Sequence, residues 1–138
     1  MVSIVYNKDV ILWRYGQFPM EFRFWESSSG ECPVRDFIFS LEDRKSQQLL
    51  KKLESFSKYP NASLWKAEIL EKFDDELAEL RVLLNRTYYR FFCVIEGPVC
   101  TFVHAFVKKS DRTPLKEIEK AKHNMVIFYK QKKIGRNL

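Results

Sequence analysis

"LAELRVLLNRTYYRFFCVIEGPVCTFVHAFVKK", residues 77–109, decides the fold. Three runs (77–85, 87–96 and 99–109) are rich in β-branched and aromatic residues, and the short breaks "NRT" and "EGP" separate them. That is the pattern of an antiparallel meander. Side chains alternate along each strand. Leu80, Val82 and Leu84 therefore share a face, as do Tyr89, Phe91, Cys93 and Ile95, and these make the core set. Glu79, Arg81 and Leu83, with Tyr88, Arg90, Phe92 and Val94, take the opposite face.

The breaks also set an expected register. With Gly97-Pro98 as a two-residue loop, Glu96 pairs with Val99, Arg90 lies opposite Ala105, and Phe92 lies opposite Val103. With Arg86-Thr87 as the other loop, Arg81 lies opposite Phe92. Arg81, Arg90 and Lys109 then project together from the face that the core does not claim, with Tyr88 and Phe92 among them. Lys108 points the other way unless a bulge flips the strand end, and His104 falls on the core-facing set. A slip of one residue would reverse the whole assignment.

Upstream, "FPMEFRFWES" alternates, with Met20, Phe22 and Phe24 on one side and Glu21, Arg23 and Trp25 on the other, which predicts a strand. Pro33 suits a first helical turn, and Val34, Phe37, Ile38 and Leu41 follow at helical spacing over 33–42. A second helix is predicted near 43–58, with Leu49, Leu50, Leu53 and Phe56 as its apolar stripe. The two form a helical hairpin. Residues 64–76, "LWKAEILEKFDDE", read as a short helix, a short strand or an ordered loop. Downstream, Thr113 is the expected N-cap and Pro114 the first residue of a last helix, with Leu115, Ile118, Ala121, Met125 and Phe128 as its stripe. The order is β-α-α-β-β-β-α, an α+β fold with a twisted antiparallel sheet, the hairpin on one face and a C-terminal helix. Residues 1–17 are taken as an N-terminal extension and 18–138 as the domain; "SIVY" and "VILWRY" within the extension allow a hairpin around "NKD".

Composition narrows the class. The 138 residues are 46% hydrophobic and 15% aromatic, enough for one domain with a real core. No run approaches a membrane span, and the N-terminus lacks the basic start and continuous apolar stretch of a signal peptide, so the expected location is cytoplasmic. Cys32, Cys93 and Cys100 match no zinc spacing and read as reduced, buried thiols. The net charge of +6 is uneven: residues 1–40 carry −1, residues 41–80 carry −2 and residues 81–138 carry +9. That asymmetry is the footprint of a polyanion-binding surface. Cations interleaved with rings suit RNA, since cations meet phosphate and rings stack on unpaired bases. The ordinary alternative is that each arginine pairs with a carboxylate and the rings merely pack. For His104 the choice is between a buried strand histidine and an acid or base titrating near neutrality. His123 reads as a surface residue.

Taken in order, Leu80-Arg81, Tyr89-Arg90-Phe91, Phe106-Val107-Lys108-Lys109, Thr113-Pro114 and the run from Glu117 to Ala121, with "CPVRDFIFSLED" upstream, resemble the phage-derived Gp49-like or HigB-type toxins of the RelE/ParE superfamily. The resemblance spans roughly residues 18–130. It implies a RelE-like fold and a type II toxin that cleaves mRNA on the ribosome, inhibited by a helix-turn-helix, HigA-like antitoxin. It implies no cofactor, no metal and no membrane: the ribose 2′-hydroxyl attacks the adjacent phosphate and displaces the 5′-oxygen. Carried over by position, Arg90 and Lys109 would bind the scissile phosphate, and Arg81 would support it or contact a neighbouring phosphate. Lys108 would bind RNA or ribosomal RNA; Tyr88, Phe92, Arg86 and Arg112 are further expected RNA contacts, and a lysine, His104 or the ribosome itself would serve as acid or base. The chain departs from RelE-type members in lacking a tyrosine near the start of the last helix, where "TPLKEI" stands. That leaves the proton donor and acceptor unassigned. ParE-like members share the fold but poison gyrase by protein contact, and a non-catalytic phage-derived binding protein is the third alternative.

Overall fold

A computed structural model describes residues 20–109 and 111–136. The readings made for residues 1–17 lie outside the described residues. The elements are β1 (Glu21–Phe24), α1 (Pro33–Ser40), α2 (Asp43–Ser57), α3 (Asn61–Lys66), β2 (Leu70–Lys72), β3 (Ala78–Leu84), β4 (Thr87–Glu96), β5 (Val99–Lys108) and α4 (Leu115–Arg136). The fold is α+β and RelE-like, as predicted. The sheet runs β1-β5-β4-β3-β2; β1 is parallel to β5 and the other neighbours are antiparallel. The fold has one strand and one helix more than expected, because the ambiguous stretch at 64–76 contributes the end of α3 and the edge strand β2.

The helical hairpin covers one face. Val34 and Ile38 of α1 and Leu49 and Leu53 of α2 pack on Phe22, Leu80, Val82, Phe91 and Phe102. The buried Ser46 hydroxyl ties the two helices by donating to the Ile38 carbonyl at 2.5 Å. The other face is not open, which corrects the sequence reading. Trp25, Phe92, Val94, Val103 and Phe106 form a second buried cluster under Ala121 and Met125 of α4. Trp25 Nε1 donates to Gln131 Oε1 at 2.8 Å and fastens the far end of that helix. The helix begins one residue later than predicted, and the Pro114 carbonyl accepts from the N–H groups of Glu117 and Ile118. Leu115 is consequently not part of the stripe; it is 69% exposed at the helix start, clear of the second cluster.

Two backbone details set which side chains meet. The β3–β4 turn is Asn85-Arg86, not Arg86-Thr87, with φ of 48° and 67° and Leu84 paired with Thr87. Two successive positive φ values match the twist of a two-residue hairpin. Arg81 therefore lies opposite Arg90 rather than Phe92, on the same face as predicted. The β4–β5 turn falls where expected, with Glu96 paired to Val99, but the register shifts between Phe92 and Cys93. Cys93 faces Phe102 and Phe92 faces His104, so Val103 is an extra residue on β5. Its buried carbonyl accepts from Asn124 Nδ2 of α4 at 2.8 Å.

This β-bulge overturns three expectations. Arg90 lies opposite Phe106, not Ala105, and Phe92 lies opposite His104, not Val103. Lys108, not Lys109, shares the face of Tyr88 and Arg90, while Lys109 stands just past the end of β5. His104 leaves the core-facing set and joins Val103 and Phe106 on the face that α4 covers. Straight alternation would have put an imidazole between Phe102 and Phe106 in the first core. The bulge instead sends Ala105 and Val107 there.

Candidate functional site

Four charges meet on β2, β3 and β4. Glu71 lies directly opposite Glu79, and Arg81 directly opposite Arg90. Like charges across a rung repel, but diagonal neighbours are within reach of long side chains. The ion pairs accordingly run diagonally: Arg90 Nη1 to Glu79 and Arg81 Nη2 to Glu71, with Arg81 Nε also 4.0 Å from Glu79. Arg90 and Glu79 are buried; Arg81 and Glu71 are half-buried. The alternative weighed for the arginines is thus the arrangement found, each paired with a carboxylate. Arg90 is not free to meet a phosphate as it stands. The buried Nε atoms of Arg81 and Arg90 have no hydrogen-bond partner and keep spare donor capacity.

Beside this quartet lies a row in which Leu83 and Tyr88 are exposed and Lys108 half-buried. Leu83 pairs with Tyr88 and Tyr88 with Lys108 across the strands. Tyr88 is 43% exposed, and its ring lies over the Arg90 guanidinium, 5.3 Å from centroid to Cζ. Arg86 is exposed at the turn beside them. Arg112, also exposed, follows β5 and makes an interaction of its own. Phe92 is elsewhere: fully buried, edge-on to Phe73 at 5.0 Å and stacked on Phe106 at 5.8 Å. It cannot offer a ring to RNA, because α4 covers it.

An open concavity that gathers lysines and a histidine lies along the part of β5 that runs beyond β1. β1 pairs only with Val99 to Phe102, so the rest of that edge of β5 is left between α1 and the start of α4. Two adjoining cavities, of ≈ 430 and ≈ 520 Å³, both reach His104, Lys116 and Lys120. Phe37, Lys109 and Glu117 line the first; Pro33, His123 and Asn124 line the second. His104 Nε2 lies 3.3 Å from Glu117 Oε1, both side chains nearly buried, and the same oxygen is 3.9 Å from Lys120 Nζ. Burial pushes the imidazole below its ordinary range; the Glu117 carboxylate opposes this, and Lys120 adds to it. At neutral pH the ring is uncharged, with one nitrogen able to accept a proton.

Sequence reading missed Glu117 as a partner of His104, since thirteen positions separate them and only the bulge and the seating of α4 bring them together. His123, read as a surface residue, is exposed and lines the groove. The predicted cations divide. Lys109 lines the groove, Lys108 lies on the Tyr88 row, and Arg81 and Arg90 lie in the quartet.

A family model for the phage-derived protein Gp49-like family (DUF891) matches residues 36–126. The chain belongs to this family. The match takes in all but the first turn of the helical hairpin, the whole meander, His104 and Glu117. The Gp49-like family lies within the RelE/HigB-like toxin superfamily, whose members are toxins of toxin–antitoxin systems, and that relation points to an antitoxin as partner. No curated protein matches the chain. Among the described residues no helix is long and apolar enough to cross a membrane.

Proposed function

We propose that this Gp49-like protein is the toxin of a toxin–antitoxin pair and cleaves mRNA on the ribosome by attack of a 2′-hydroxyl on the adjacent phosphate. The observation that carries the reading is the groove along β5, where lysine ammonium groups surround an uncharged histidine. Cleavage of this kind needs cations placed where charge gathers on the phosphate, and a group that takes a proton. Lys109 and Lys116 are the phosphate ligands in this reading. Lys108 and Tyr88 receive a flanking nucleotide, the ring stacking on a base. In this reading Arg90 acts from beneath by holding Tyr88 and Arg81 by tying β3 to Glu71 of β2, neither as a first contact of the scissile phosphate. The antitoxin partner is helix-turn-helix and HigA-like, and the location cytoplasmic.

Induced expression tests the reading. The wild-type chain is expected to arrest growth with mRNA cut inside coding regions. Lys109→Ala with Lys116→Ala, both on exposed positions, should abolish cutting without lowering the amount of folded protein. DNA breaks with intact mRNA would replace this reading with gyrase poisoning. Absence of arrest at comparable protein levels would leave a binding protein.

A further inference from the structure

We infer that Glu117 is the positioning residue of the site: it holds the His104 ring by its Nε2 edge and leaves Nδ1 as the atom that takes the proton from the 2′-hydroxyl. The inference rests on the RNA-cleaving reading above and supplies the acid–base assignment that the absent tyrosine leaves open.

Three features converge on it. The bulge at Val103 turns His104 out of the first core and toward α4. Glu117 lies in the first turn of that helix, where the N-terminal dipole favours an anion. The carboxylate Oε1 is 3.3 Å from Nε2, with both side chains screened from solvent and both facing a cavity. A carboxylate on one ring nitrogen fixes the tautomer, so Nε2 carries the hydrogen and donates it to Glu117 while Nδ1 keeps its lone pair. Phe106, stacked on the ring at 6.1 Å, limits its tilt. The other charged or titratable groups lining the cavities that reach the ring are Lys109 beyond β5 and Lys116, Glu119, Lys120 and His123 on α4; α1 brings Pro33 and Phe37, which carry no charge.

In the step itself the 2′-hydroxyl proton passes to Nδ1, the 2′-oxygen bonds to phosphorus, and the bond from phosphorus to the 5′-oxygen breaks. The leaving oxygen takes a proton from a groove ammonium group, which water restores, and the imidazolium returns its proton to water. Glu117 steadies the imidazolium while it lasts and touches no reacting atom.

The test pairs titration of the His104 ring by NMR in the full chain with cleavage rates of ribosome-bound mRNA against pH. Glu117→Gln should move the ring's midpoint to lower pH and carry the acidic limb of the rate profile with it. Lys120→Gln should move the midpoint to higher pH. His104→Gln should lose about 100-fold or more of the rate. A midpoint that Glu117→Gln leaves in place would overturn the pairing, whatever the activity. Full cleavage by His104→Gln, with Lys109→Ala/Lys116→Ala inactive, would overturn the inference and leave the nuclease standing. A wild-type chain that cuts no RNA would overturn the nuclease reading and this inference together.

Discussion

The arginine quartet and the histidine groove lie on the same sheet and use their charges in opposite ways. In the quartet two cations meet two anions, and its inner pair is buried, so its field is spent within the protein. In the groove Lys109 and Lys116 stand exposed around cavities of ≈ 430 and ≈ 520 Å³. The difference teaches that a cation's residue type and sheet face do not make it a phosphate ligand. What counts is whether an internal carboxylate already holds it. Arginine suits the first task because its planar fork serves two partners at once. Lysine suits the second, as a mobile point charge at a rim.

The largest expected effect breaks the quartet. Glu79→Ala leaves the buried Arg90 without its counter-ion and should cost about 3–5 kcal/mol in urea unfolding. A loss comparable to that of an exposed pair would mean that the two regions are alike after all. Next is the device that separates them. Asn124→Leu strands the Val103 carbonyl at a fully buried residue and should cost about 1–3 kcal/mol. Cross-strand NOEs from Phe92 to His104 report directly on the bulge. Contacts from Arg90 to Ala105 instead would return Lys109 to the arginine face. Arg86→Gly relieves a left-handed residue in the turn and should stabilise by about 1 kcal/mol. If Arg86 also meets RNA, the same change should weaken toxicity while raising the melting temperature.

The smallest effect belongs to the groove and depends on pH. An unfolded His104 takes up its proton near 6.5, the folded one only at lower pH. Between those points the unfolded chain binds more protons, so this term is fully present above 6.5 and is lost as pH falls through the window. His104→Gln should therefore flatten the fall in stability between about pH 7.5 and 5.5 relative to the wild type. Glu117→Gln should steepen it, because the carboxylate is what opposes the downward shift.

Much of the architecture was legible because it rests on local periodicity. The alternation of 77–109 marked the meander, and the Gly97-Pro98 turn fell where expected. The helical spacing of Val34, Ile38, Leu49 and Leu53 marked the hairpin, and all four are buried. The candidate site was less legible. Arg81 and Arg90 were assigned to one face, and that face was right, but Glu71 and Glu79 were not recognised as their partners. Those pairings depend on which rung faces which, and the extra strand β2 supplies Glu71. One hint of the bulge was present. A polar His104 in phase with Phe102 and Phe106 is costly inside an apolar core unless it finds a partner.

By itself the sequence determined the order of the main elements, α3 and β2 apart, the helical hairpin's stripe, the core face of β3 and β4 and the concentration of positive charge in residues 81–138. These follow from short-range alternation and helical spacing, which neighbouring residues carry within themselves. Tertiary structure alone decided that Val103 is an extra residue, that Lys108 and not Lys109 joins Tyr88, and that His104 meets Glu117. All three go with one shift of register, at whose extra residue Asn124 reaches back from α4 to the carbonyl. Hydrogen bonding across twenty-one positions of chain leaves no periodicity to read.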